Sequence, residues 1–269
     1  MSGFSWQLMM VLIGASLPGL LIALPRFLGT IRRIIPADRP LPSAPVMLAA
    51  SFIQSLVLVA GSAALGIAFA HRVGLCAPFF QAFITGESAW GAFRPQLLPT
   101  LYIGIGGALV FVAAYYLIFR PRLDTETISA MEGLRLEAGI LARIFYGGIV
   151  EEVLMRWGLM SFLVWLGTLV AGTATPAVVW AAIVISGLLF GIGHFPAYLA
   201  AGCNKTPAFF TTMIALNLGA ALIFGWLFWQ HGLAAAMLAH MLFHLVWYPF
   251  DVKFKQVEVY AIHRGGAEG

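Results

Sequence analysis

Three ionisable side chains lie inside a stretch that is otherwise apolar: Glu151, Glu152 and Arg156, in GGIVEEVLMRWGLM. Charge in hydrocarbon is costly, so such groups face a protein interior or a wet cavity and mark a functional site by default. Residues four apart on a helix share a face, so Glu152 and Arg156 can pair. A buried pair is tolerable where a lone charge is not. Glu151 is turned by about 100° from Glu152 and lacks that partner. The spacing therefore divides the work, with Glu152 and Arg156 as structure and Glu151 as a general base shielded from water. The competing reading makes all three interhelical glue in a transporter or scaffold.

Histidines supply the other half of such a site. In SGLLFGIGHFP, Phe190 and His194 are four apart and share a face, and Pro196 places His194 near a helix end or kink. Alone, His194 reads as an interfacial anchor. In GLAAAMLAHMLFHLVWYPF, His240 and His244 also share a face, with only apolar residues between them. One such histidine is a packing residue with a satisfied hydrogen bond. Two on one face of an apolar helix point towards chemistry.

These residues need membrane helices to hold them. Of 269 residues, 61% are hydrophobic and 10% charged, against roughly 25% charged in soluble domains. A bilayer core needs about 20 mostly apolar residues per helix. Seven stretches qualify, at 5–24, 45–70, 98–119, 141–168, 176–196, 207–229 and 232–250. The expected fold is an all-α polytopic bundle of seven spans, in one integral membrane domain over 1–269. An eighth span within 72–97 is the alternative; its FFQAFITG run is too short and reads as interfacial or re-entrant. The first span lacks a basic preceding region and reads as an anchor rather than a cleaved signal. Only Gln230, His231 and Gly232 join the last two spans, which implies a tight hairpin.

The net charge of +4 comes from loop residues, and no nucleic-acid-binding motif is present. Basic residues gather in alternate connections: Arg26, Arg32, Arg33 and Arg39; then Arg120, Arg122, Arg135 and Arg143; then Lys205; then Lys253, Lys255 and Arg264. The opposite side holds Arg72 and Arg94. Positive-inside reasoning sets the N-terminus outside and the C-terminus in the cytoplasm. Cys76 and Cys203 then lie on opposite sides, so no disulfide is expected between them. Residues 123–140 carry Ile128, Met131 and Leu134 at helical spacing among Glu126, Glu132, Arg135 and Glu137. That pattern fits an amphipathic interfacial helix, or equally a solvated connector. In this topology Glu151 lies about 15 Å into its span. His194, His240 and His244 also fall at the midplane or in the cytoplasmic half.

The strings EEVLMR, FGIGH and HMLFH, in this order in successive apolar helices, resemble the CPBP intramembrane protease family, which includes CAAX prenyl endopeptidases and bacteriocin-processing or Abi proteins. Its pattern is EExxxR, FxxxH, then HxxxN or a variant. Glu151, Glu152 and Arg156 match the first element, Phe190 and His194 the second, and His240 the start of the third. The resemblance covers residues 141–248, the expected catalytic helices. Met155 stands where the family commonly has phenylalanine, Trp157 where it often has glycine, and His244 where asparagine is frequent.

The resemblance implies an intramembrane endopeptidase. Glu151 and His194 would hold and deprotonate a water, His240 and His244 would donate to the oxyanion, and Glu152, Arg156 and Phe190 would orient them. No cofactor is expected in that scheme. The alternative is Zn2+ held by Glu151, His194, His240 and His244, a donor set of zinc-binding type. The expected partners are the bilayer and a peptide or protein substrate, lipidated or membrane-anchored, cut near its C-terminus or a membrane-proximal site. The expected location is a bacterial inner membrane. Two other classes remain open: a non-proteolytic scaffold or accessory subunit keeping the protease fold, and a small proton-coupled carrier.

Overall fold

The computed structural model describes residues 4–35 and 40–265, those beyond 254 by their backbone alone. Arg39 and the side chains of Lys255 and Arg264 thus lie outside the described residues. Among those described, every regular element is helical, and seven helices are long and apolar enough to cross a membrane. They are Trp6–Arg33, Ala44–Val73, Ala89–Arg122, Thr125–Ala171, Pro176–Ala200, Pro207–His231 and Leu233–Phe254. Large apolar side chains on their outer faces are bare, including Tyr102, Leu117 and Val170. This is a multi-pass integral membrane protein whose solvent is lipid.

Helix boundaries follow their caps. Helix α1 (Trp6–Ile34) is capped by Ser5, whose hydroxyl accepts from the Leu8 N–H, and it runs on through Pro18 and Pro25. It therefore outlasts the expected stop at 24. Helix α2 covers Ala44–Phe69, and the short α3 covers Pro78–Thr85. At about 12 Å, α3 is far too short to span, so the 72–97 region holds no eighth crossing. Helix α4 (Ala89–Ala114) begins nine residues before the expected 98, because Ser88 caps it by accepting from the Gly91 N–H, and Pro95 and Pro99 do not stop it. Prolines within membrane helices are tolerated in general, since neighbouring helices and side chains can re-satisfy the freed backbone groups.

Helix α5 (Thr125–Ala142) leads without a loop into two wide-turned π-helical stretches, Arg143–Glu151 and Val153–Met160, and then α6 (Ser161–Ala171). The join bends at Gly139, whose φ of 70° favours glycine. Arg26 of α1 donates to the Ala138 carbonyl there at 3.0 Å. Helices α7 (Pro176–Ala200) and α8 (Pro207–His231) each start at a Thr-Pro cap, at Thr175 and Thr206. Gly232 alone (φ 95°) separates α8 from α9 (Leu233–Gly265), which is the tight hairpin expected.

The amphipathic reading of 123–140 needs one correction. Glu126 and Glu137 are exposed, but Glu132 is buried and Arg135 is mostly so. Glu132 accepts from the Tyr115 hydroxyl at 3.0 Å and pairs with Arg120 at 2.8 Å. Paired charges can turn inward where the sequence pattern alone reads as a wet face.

Packing then positions the motif residues. The Arg143–Glu151 stretch lies between α1 and α9, and Val153–Met160 packs on α2 and α7. Small residues allow close approach, as is general between helices in membranes. The Trp157 indole lies against Gly66 and donates to the Ala63 carbonyl at 3.2 Å.

Candidate active site

Glu152 is fully buried. Its Oε1 lies 3.2 Å from Arg156 Nη1 and 2.7 Å from His240 Nδ1. The Arg156 contact is ionic rather than an aligned hydrogen bond: among the described residues, Nη1, Nη2 and the Glu152 Oε2 have no hydrogen-bond partner. Arg156 instead lies between aromatic faces, 5.8 Å from the Phe190 ring and 5.4 Å from that of Phe224. Such contacts stabilise a desolvated cation.

Glu151 differs in the way that matters for chemistry. Its side chain keeps 19% of its exposure, and its Oε2 stops 3.9 Å from His240 Nε2. The two glutamates thus address the two nitrogens of one imidazole. The α-helical phase expects Glu151 to point away from its neighbour's partners. In the structure His240 reaches between the two carboxylates, where the wide turns alter that phase. His240 stacks on Phe224 at 4.6 Å and lies 4.9 Å from the His244 ring.

Gly147 explains how both histidines reach the same place. A methyl group there would lie 2.6 Å from His244 Nε2 and 3.4 Å from His240 Nε2. Both Nε2 edges therefore pack beside the bare backbone of Gly147, on the helical face that also carries Glu151 four residues on.

His194 sits apart. Its Nδ1 lies 2.7 Å from the Phe190 carbonyl. A carbonyl only accepts, so Nδ1 carries the proton and the neutral ring keeps its Nε2 lone pair free. Among the described residues no hydrogen bond or ion pair links His194 to Glu151, His240 or His244; it meets their neighbourhood through Phe190, at 4.5 Å between rings. Nor do any three His, Cys, Asp or Glu side chains among them converge as metal ligands. The zinc set Glu151, His194, His240 and His244 is not gathered in this arrangement.

Several residues of the site escape the motif reading. Arg143, a loop charge by its place in the sequence, is buried; its Nε donates to His244 Nδ1 at 3.2 Å and its Nη1 pairs with Asp251 at 2.9 Å. Asp251 is fully buried and also accepts from Arg135, the Tyr116 hydroxyl and Trp247 Nε1. The available signal is spacing: Arg143, Gly147 and Glu151 fall on one helical face. A cavity of about 700 Å³ lies elsewhere, between Thr30 and Arg33 of α1, Glu126 and Glu137 of α5, and Gly202.

Residues 135–246 match the family described as "Rce1-like: Type II CAAX prenyl endopeptidase Rce1-like". The matched region, less than half of the chain, is similar to an Rce1-like domain. This similarity is consistent with the CPBP family and, in general terms, with a CAAX-type intramembrane endopeptidase acting on a peptide or protein substrate. The Rce1-like region takes in the α5 end, both π-helical stretches and the histidines of α7 and α9. No curated protein and no solved structure matches the chain.

Proposed function

We propose that this protein hydrolyses a peptide bond within the membrane, near the C-terminus or a membrane-proximal part of its substrate, with Glu151 as the general base. The observation that carries the reading is the contrast between adjacent carboxylates: Glu152 is sealed and paired, whereas Glu151 stays reachable and uncommitted beside His240 Nε2. Glu151 takes a proton from water, with His194 Nε2 as the second acceptor, and that water attacks the scissile carbonyl. His240, flanked by two carboxylates, donates from Nε2 when protonated. His244 donates from its own Nε2, beside Gly147. Each preorganised donor to an oxyanion contributes about 3–4 kcal/mol. Glu152 and Arg156 hold His240 in place and need not touch the substrate.

The N-terminus is assigned to the outside and the C-terminus to the cytoplasm of a bacterial inner membrane, which opens the site to lipidated or anchored C-terminal peptides. The test is incubation of the detergent-purified protein with a prenylated CAAX peptide and with membrane-anchored C-terminal peptides, with and without chelator, read by mass spectrometry. Cleavage that survives chelation and needs Glu151 supports the scheme. Cleavage abolished by chelator and restored by Zn2+ replaces it with a metal mechanism. Failure to cut any peptide, with proton flux into liposomes instead, favours the carrier.

A further inference from the structure

Neutral imidazole has two tautomers, and only the one with its proton on Nε2 can make His244 a donor from the edge beside Gly147. We propose that Arg143 is the positioning residue that selects this tautomer, donating its Nε–H to His244 Nδ1 while Asp251 clamps the guanidinium. The inference rests on the role given to His244 above.

The geometry leaves little choice. A guanidinium carries only donors. Arg143 Nε lies 3.2 Å from His244 Nδ1, so Nδ1 must hold the lone pair and Nε2 the proton. Protonating His244 would set N–H against N–H and one cation against another. Arg143 cannot turn away freely, because its Nη1 holds Asp251 Oδ2 at 2.9 Å. That carboxylate is itself fixed by Arg135 Nη2 (2.9 Å), the Tyr116 hydroxyl (3.0 Å) and Trp247 Nε1 (3.1 Å). The result is a chain of contacts from a buried carboxylate to one ring nitrogen. His240 is held in the opposite sense, since its Nδ1 faces an acceptor, Glu152 Oε1, at 2.7 Å. Two imidazoles one turn apart are therefore locked through Nδ1 by partners of opposite kind. An asparagine at 244 would donate from its amide with no tautomer to select, so the arginine matters because this chain has histidine there.

The experiment is nitrogen-15 NMR of the histidine-labelled protein in detergent, with His244 assigned by its loss in His244→Asn. Wild type is expected to show a pyridine-type Nδ1 and a pyrrole-type Nε2. Arg143→Met should give a mixture of both forms, and Arg143→Lys, which still donates, should keep the wild-type form. In peptide cleavage, Arg143→Met should lower kcat by about tenfold or more with KM within about twofold, and should add nothing in a His244→Asn background. A pyrrole-type Nδ1 in wild type overturns the proposal, even if Arg143→Met fails to fold. So does an unchanged tautomer in Arg143→Met, or an equal kcat loss in both backgrounds. Should wild type cut no peptide, the proteolytic reading falls while the spectrum still decides the tautomer.

Discussion

Glu152 and Asp251 are both fully buried carboxylates that meet side chains of α9 or its partners, yet they are bonded differently. Asp251 accepts from four side chains: Tyr116, Arg135, Arg143 and Trp247. Glu152 uses one oxygen for His240 and Arg156 and leaves the other without a partner among the described residues. The Asp251 cluster is saturated and ties together α5, α9, the Arg143–Glu151 stretch and the turn Tyr115–Phe119 that follows α4. The Glu152 cluster is under-bonded and sits beside Glu151 and the His240–His244 pair. Half-satisfied polar groups are tolerated in native structures mainly where function needs them. The comparison separates a structural charge cluster from one that serves a site.

Breaking either cluster should show the difference. The largest loss of stability is expected for Asp251→Ala, which strands Arg135 and Arg143; removing one partner of a buried pair costs about 3–5 kcal/mol. Thermal unfolding in detergent should register it as the lowest melting temperature of the set. Arg156→Met should come next, because Glu152 keeps only His240. Adding Glu152→Gln should recover part of that loss, whereas no single second change should rescue Asp251→Ala. A rescue of Asp251→Ala, or none for Arg156→Met, would reverse the contrast.

Gly147→Ala should act on activity more than on stability. Its methyl group would press on His244 Nε2, so we expect kcat to fall about tenfold or more while the melting temperature changes little; 1 Å misplacements can cost that much. Equal losses of activity and stability would make Gly147 a packing residue only.

The smallest effect belongs to Asp124, which caps α5. The Thr127 backbone N–H, with help from the Thr127 hydroxyl and the Asn204 amide, holds its carboxyl below the usual range. A depressed folded-state value means that the cap stabilises fully above the unfolded value of about 3.9 and less as pH falls through the folded one. Asp124→Ala should lower the melting temperature slightly at neutral pH, and the gap to wild type should close in acid. A constant gap would mean that the charge plays no part.

What the sequence made legible follows the same division. Seven apolar runs were enough to count the helices, and Gly232 was enough to see the hairpin, because length and hydropathy act locally. Glu151, Glu152, Arg156, His240 and His244 could be picked out because charge and imidazole stand out in apolar helices. The Asp251 cluster could not: Arg135 and Arg143 look like loop charges until α9 carries Asp251 back across to them, a contact more than 100 residues long. Ser88 hid the true start of α4, since one cap outweighed two prolines. The convergence of both glutamates on His240 was also hidden, because spacing rules assume regular turns and the chain here is π-helical.

The central claim is that two adjacent glutamates have different jobs. It is tested most directly by measuring peptide cleavage and melting temperature together for wild type, Glu151→Gln and Glu152→Gln. The account predicts that Glu151→Gln melts like wild type but cleaves about 10²–10⁴-fold more slowly, and that Glu152→Gln melts measurably lower. Cleavage by Glu151→Gln at the wild-type rate would contradict it.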